Sequence, residues 1–273
     1  MDKIIEYMLA EDEGFGDITS DAVVEKGKEI TAKIISKDEG ILAGMDIIRG
    51  VFEEYGIKVN FWLNDGCEIS KNDLLMSVAG DARTILLLER TVLNLSMRMS
   101  GVASAANHYV NLVKDYDVRV AGTRKTSPAI AKFDKYALGV GGADTHRFSL
   151  DDMVLIKDNH IAACGTPLEA LLKAKANVSF SKKIEIEVET LDDAIECVKN
   201  GADIVMLDNM SPDDVSEVID KLNELNIRQN SLIEVSGGIT EDTIGEYAKL
   251  GVDIISIGAL THSSRSLNFS MKF

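Results

Sequence analysis

The strongest constraint on the fold is a series of short apolar runs that begins near residue 117 and continues almost to the end of the chain. The runs are Val118–Ala121, Met153–Ile156, Ile184–Val188, Ile204–Leu207, Leu232–Val235 and Ile254–Ile257. Amphipathic segments separate most of them, among them Leu191–Lys199, Pro212–Leu225 and Glu241–Leu250. The last four runs recur at roughly 20 to 30 residues, the spacing of β/α units around a parallel sheet or barrel. Parallel strands are covered on both faces, so continuous apolar runs are what such a sheet requires.

The residues just beyond each run point to chemistry. Val118–Ala121 leads into Gly122-Thr123-Arg124-Lys125, and Met153–Ile156 into Lys157-Asp158-Asn159-His160. Ile204–Leu207 leads into Asp208-Asn209, Leu232–Val235 into Ser236-Gly237-Gly238, and Ile254–Ile257 into Gly258. Ile184–Val188 carries Glu185 and Glu187 inside an apolar run, with Glu189 just beyond it. Charge within a buried strand is costly unless it is used. In a β/α barrel these strand ends converge on one mouth.

Residues 1–110 read differently. Ile4, Ile5, Met8 and Leu9 give Asp2–Ala10 a helical stripe, and the acidic Glu11–Ser20 reads as a loop. Glu29–Ser36 alternates apolar and polar residues as a half-buried strand does. Lys58–Leu63 and Leu74–Ala79 are further strands, and Met45–Tyr55 a helix. Asp81–Val113 is helical, with a break expected near Ser100-Gly101. Pro128, Pro167 and Pro212 each stand where a helix can begin.

Composition excludes some functions. A formal net charge of −16 argues against general binding to nucleic acid or anionic membranes, though not against a small polyanion held in a locally basic cleft. No apolar run is long enough to span a bilayer. The acidic N-terminus is unlike a leader peptide, and Cys67, Cys164 and Cys197 form no paired motif. The expected compartment is the cytoplasm.

Two sets of opposite charge stand at the strand ends. Arg124, Lys125, Arg147 and Lys157, with His146 and His160 nearby, form a cationic set that suits carboxylates and phosphates. Glu187 and Asp208 offer hard oxygens for Mg²⁺. The glycines of Ser236-Gly237-Gly238 and Gly258 let backbone amides approach a phosphate. The combination fits a phosphoribosyl pyrophosphate reaction, and it fits a phospho-sugar aldolase almost as well.

The order of the motifs narrows the choice. Thr123-Arg124-Lys125-Thr126-Ser127-Pro128, then Gly141-Gly142, His146-Arg147 and Leu155-Ile156-Lys157-Asp158-Asn159-His160, resembles the quinolinate phosphoribosyltransferase family. The resemblance extends upstream through Gly16-Asp17-Ile18-Thr19 and Glu89-Arg90-Thr91-Val92-Leu93-Asn94. Downstream it takes in Glu185-Ile186-Glu187-Val188, Leu207-Asp208-Asn209, Ser236-Gly237-Gly238-Ile239 and Gly258-Ala259-Leu260-Thr261-His262-Ser263.

The resemblance implies an α/β fold in two domains. A sandwich-like α+β domain over 1–110 precedes an incomplete α/β barrel of parallel strands over 111–262, and the tail 263–273 returns to the first domain. It implies the reaction of quinolinate with phosphoribosyl pyrophosphate, in NAD biosynthesis, and a homodimer or higher oligomer in which Arg90 reaches the partner's site. Arg90, Thr123, Arg124, Lys125, His146 and Arg147 would bind quinolinate. Lys157 would contact carboxylate or phosphate. Glu187 and Asp208 would hold ribose hydroxyls and Mg²⁺, directly or indirectly, and Ser236–Gly238 with Ile257, Gly258 and Ala259 would cradle the 5′-phosphate. Lys125, Lys157, Glu187 and Asp208 are the expected catalytic residues.

The chain departs from the family pattern in two places. Ala129-Ile130-Ala131-Lys132 replaces the usual Gly-Leu-Arg after Pro128, and Ala143-Asp144-Thr145 precedes His146-Arg147, which would weaken dianion binding if Asp144 pointed inward. Competing readings are a molybdate-transport-associated homologue, a Schiff-base aldolase using Lys157 or Lys125, and a non-catalytic phosphate-metabolite binder.

Overall fold

A computed structural model describes residues 2–273. In chain order its strands are β1 Glu29–Ser36, β2 Gly40–Ile41, β3 Lys58–Trp62, β4 Glu68–Ile69, β5 Leu74–Asp81, β6 Arg119–Ala121, β7 Val154–Ile156, β8 Ile184–Val188, β9 Ile204–Asp208, β10 Leu232–Ser236, β11 Ile254–Ser256 and β12 Phe269–Lys272. The chain divides into two compact units. The first holds residues up to Asn107, Thr126–Gly142 and Leu260–Phe273; the second holds His108–Lys125 and Ala143–Ala259.

The first unit is built on a four-stranded antiparallel sheet in the order β12-β1-β5-β3. Ala32, Ile34 and Ser36 of β1 are buried while Glu29, Thr31 and Lys33 are exposed, the alternation expected of a sheet with one wet face. The chain's last strand, β12, lies against β1, so the tail completes this sheet.

The acidic stretch after Ala10 is more helical than expected. Asp2 caps a helix over Lys3–Glu13, and Asp17 caps another over Ile18–Val23 by accepting from the amides of Thr19 and Ser20 at 3.1 and 3.0 Å.

The expected break at Ser100-Gly101 does not occur: one helix runs over Ala82–Leu112. Gly101 serves a close approach instead, since a Cβ there would sit 2.2 Å from the carbonyl oxygen of Arg265. Ser100 and Ser104 turn their hydroxyls outward from this helix to accept from the amides of Ala43 and Ile41, at 2.9 and 2.8 Å. Gly101→Ala is therefore expected to displace the tail and cost about 1–3 kcal/mol by overpacking, which chemical denaturation will measure.

The segment Thr126–Gly142, which the sequence places in the second domain, clusters with the first unit. Its buried Asp134 receives Arg98 as a two-point partner, Nε to Oδ1 at 3.0 Å and Nη2 to Oδ2 at 2.8 Å. Pro128 does not open a helix; the helix begins at Ala131, after Ala129 at a φ of 68°. Pro167 and Pro212 do open theirs, behind Thr166 and Ser211 as caps.

The second unit is a six-stranded parallel sheet in the order β6-β11-β10-β9-β8-β7. The chain-order neighbours β6 and β7 are at opposite ends of this order, so the barrel is incomplete. The free side of β6 takes a single bridge from Asp144, whose amide donates to Val120 at 2.8 Å and whose carbonyl accepts from Gly122 at 2.9 Å. Val205 and Leu207 of β9 and Ile233 and Val235 of β10 are buried, as are Ala194, Cys197 and Val198 of the helix Leu191–Lys199. Because every strand runs the same way, all six C-terminal ends face one mouth.

Candidate active site

The mouth holds a cavity of about 510 Å³, within the range of small-ligand sites. It is lined by Thr123, Arg124 and Lys125 beyond β6, Lys157 beyond β7, Glu187 of β8, Asp208 of β9, and Ser236, Gly237 and Gly238 at the end of β10. His146 and Arg147 also line it. Ile257, Gly258 and Ala259 are not among its lining residues but come directly after Ser256 of β11, which is. Arg90 is placed elsewhere: it is exposed on the helix Ala82–Leu112 and lines a separate cavity in the first unit, with Glu11, Asp12 and Asn94.

Local conformation presents the groups. The Thr123 hydroxyl accepts from the Lys125 amide at 3.1 Å, a turn that leaves Arg124 and Lys125 exposed. Lys157 is the residue before the helix Asp158–Cys164, and its Nζ pairs with the carboxylate of Glu187. Gly237 and Gly238 both have positive φ, 93° and 63°. A Cβ on Gly237 would meet Asn209 Oδ1 at 2.2 Å, so only glycine brings this backbone so close to the end of β9. Asn209 Nδ2 donates to Asp208 Oδ2 at 2.7 Å.

Electrostatics divide the cavity. Burial lowers the basicity of Arg147, and the charge of Arg124 lowers it further. Two guanidinium groups that repel one another favour a ligand with more than one negative group. Asp144 lies outside this cavity and shares a second one with Arg147. It lines the opposite end of the barrel, accepts from the His146 amide at 2.7 Å, and lies 4.0 Å from Arg119. The carboxylate that departs from the family pattern is therefore not among the groups lining the mouth cavity.

Beneath the cavity lies a cluster that sequence reasoning missed. Glu185 and Glu234 are fully buried, and His146 Nε2 is 3.3 Å from a carboxylate oxygen of each. Of the three glutamates at β8, Glu189 is exposed and Glu187 pairs with Lys157, while Glu185 meets neither solvent nor a lysine. The available signal is a charge within each of two apolar runs, Glu185 on β8 and Glu234 on β10. Burial pushes the Glu185 carboxyl up. On His146, burial opposes charge, while the neighbouring carboxylates of Glu185 and Glu234 raise the basicity of the ring and favour a proton on Nε2. The Arg147 amide works against an imidazolium, because it donates to His146 Nδ1 at 2.9 Å. That hydrogen bond decides the matter. A proton on Nδ1 would face the amide hydrogen with no acceptor between them, so the ring carries its proton on Nε2.

Known proteins resemble this chain over nearly its whole length. Family models described as the N-terminal and C-terminal domains of quinolinate phosphoribosyl transferase match residues 17–100 and 102–272. A probable carboxylating nicotinate-nucleotide pyrophosphorylase from Methanocaldococcus jannaschii is 50% identical, covering 98% of this chain and 95% of the relative. The carboxylating nicotinate-nucleotide pyrophosphorylase of Homo sapiens is 35% identical over 92% of this chain and 84% of its own length. A crystal structure of NadC from Streptococcus pyogenes superposes with a TM-score of 0.91 at 37% identity, covering 99% of this chain and 96% of that one.

Proposed function

The chain belongs to the quinolinate phosphoribosyltransferase family, and from that premise we infer that it is a carboxylating nicotinate-nucleotide pyrophosphorylase of NAD biosynthesis. It joins quinolinate to phosphoribosyl pyrophosphate and releases pyrophosphate and CO₂, leaving nicotinate mononucleotide. The observation that carries the reading is the mouth cavity itself, with Arg124 and Arg147 beside Glu187 and Asp208.

The arginines, with Thr123 and Lys125, receive the two carboxylates of quinolinate. The pyridine nitrogen attacks the anomeric carbon as pyrophosphate leaves, and positive charge develops on the ribose ring. Glu187 and Asp208 stabilise that charge and hold the ribose hydroxyls, while Lys157 favours the departing anion. The backbones of Ser236–Gly238 and Ile257–Ala259 take the 5′-phosphate. Fixing both substrates in one cavity contributes about 7–11 kcal/mol to lowering the barrier.

Mg²⁺ suits this donor set. Glu187 and Asp208 are hard oxygen donors on adjacent strands, and two carboxylates completed by substrate phosphates are how Mg²⁺ is usually held. When bound, the ion would neutralise charge on the leaving pyrophosphate.

We place Arg90 in a partner's site across a homodimer. Its exposure supports this, as do the exposed Tyr7, Phe15, Ile18 and Val23 of the same unit. The free cysteines Cys67, Cys164 and Cys197 accord with a cytoplasmic setting. The Schiff-base alternative on Lys157 or Lys125 is not favoured, since the relatives are phosphoribosyltransferases and Lys157 Nζ is in addition engaged by Glu187.

Purified protein with phosphoribosyl pyrophosphate and Mg²⁺ tests the reading directly. Release of CO₂ and pyrophosphate with quinolinate, and no turnover with nicotinate, is the expected outcome. No turnover with either acceptor would point instead to the molybdate-associated homologue.

A further inference from the structure

We propose that Glu185 and Glu234 are positioning residues: they clamp His146 so that its ring fixes Arg147 at the floor of the mouth cavity. The proposal rests on the reaction inferred above and adds to it the device that holds a principal anion-binding arginine in place.

Four observations converge. First, both ring nitrogens of His146 are committed, Nε2 toward Glu185 and Glu234 at 3.3 Å each and Nδ1 to the Arg147 amide at 2.9 Å. None of its ring nitrogens is left over for a substrate. Second, the two glutamates project into the barrel core from β8 and β10, at positions where branched apolar side chains ordinarily pack. Nε2 hydrogen-bonds Glu234 Oε2, and Glu185 Oε2 lies at the same 3.3 Å without a hydrogen bond of its own; Glu185 Oε1 and Glu234 Oε1 are also buried without one. That cost is offset for Glu185 by its neighbours, His146 first and then the charge of Arg147. Third, His146 has a φ of 51°, a left-handed backbone that a histidine keeps only where its surroundings hold it. Fourth, His146 and Arg147 line both the mouth cavity and a second cavity at the opposite strand ends, lined also by Arg119, Met153 and Leu232. The pair is thus the partition across the barrel, and the groups that clamp it set the floor of the substrate site.

The same three side chains would also fit around one metal ion, with their ligand atoms all within 4.8 Å of one another. The amide at Nδ1 argues against that occupant. A metal-bound imidazole donates from its other nitrogen, whereas here the other nitrogen accepts, which leaves the proton on Nε2 where the metal would bind.

The test combines kinetics with a spectroscopic readout that is independent of turnover. Glu234→Leu fills the space but removes the acceptor; Glu234→Gln keeps an oxygen facing Nε2. Glu234→Leu is expected to raise KM for quinolinate by at least about tenfold and to leave KM for phosphoribosyl pyrophosphate within about twofold. Glu234→Gln should recover quinolinate KM to within about threefold of wild type. In ¹⁵N-histidine spectra of the free wild-type protein at pH 7.5, His146, assigned with a His146→Asn control, should show Nε2 protonated and Nδ1 unprotonated.

An unchanged quinolinate KM in a folded Glu234→Leu protein overturns the proposal. So does a wild-type spectrum with both ring nitrogens protonated, or a stoichiometric metal that is lost in Glu234→Gln. Should Glu234→Leu fail to fold, the spectrum and the Gln variant still decide. Should the wild type not consume quinolinate at all, the functional reading falls, and the spectrum alone judges the clamp.

Discussion

Arg147→Ala is expected to lower kcat/KM for quinolinate by two to four orders of magnitude, about 3–5 kcal/mol, with circular dichroism unchanged. The size of the effect reflects where the guanidinium sits. It is buried at the cavity floor beside Arg124, the arrangement that a dicarboxylate neutralises and a monoanion does not. Arg147→Lys should recover only part of the loss, since a point charge replaces a two-point fork and the clamp on the backbone is retained. Lys157→Ala should also abolish turnover, because its partner Glu187 would then face the substrate without its counter-charge. Either variant with wild-type activity would remove that residue from the site.

The largest effect on stability should come from Asp134→Ala, at about 3–5 kcal/mol, read as a fall in the urea midpoint with an unchanged slope. Asp134 is 1% exposed, accepts two hydrogen bonds from Arg98 and one from the Thr126 hydroxyl, and anchors the chain immediately after Thr123-Arg124-Lys125. Removing it leaves a largely buried guanidinium with the Thr261 carbonyl as its remaining hydrogen-bond partner in this unit. A pair deleted on both sides costs less than one broken on one side, so Arg98→Met combined with Asp134→Leu should be more stable than Asp134→Ala alone. An Asp134→Ala protein as stable as the wild type would show that the pair is incidental.

Much of the second unit was legible because period and burial agree there. Ile184–Val188 and Leu191–Lys199 have the expected bounds, and the other barrel strands differ by a residue or two at their ends. A buried parallel strand is mostly apolar, so its sequence is close to a direct image of its place in the fold. The first unit was harder to read. The two-residue strands β2 and β4 and the terminal β12 carry too few residues to show alternation. Gly101 suggested a break because glycine weakens helices, yet the tertiary contact with Arg265 is what selects it. Neither effect can be distinguished from the local sequence.

The sequence by itself determined the parallel β/α architecture, the strand ends that bear Arg124, Lys157, Glu187, Asp208 and Ser236-Gly237-Gly238, and the sign of the charge at each. Periodicity and strand polarity are local properties, and the common direction of parallel strands turns them into one site. Only the tertiary structure decided what lies beneath that site. It turned Asp144 to the opposite end of the barrel, grouped Thr126–Gly142 with the first unit, and joined His146, Glu185 and Glu234 across three separate segments of the chain. These outcomes depend on which way a side chain faces and on which distant group meets it, and a linear pattern specifies neither.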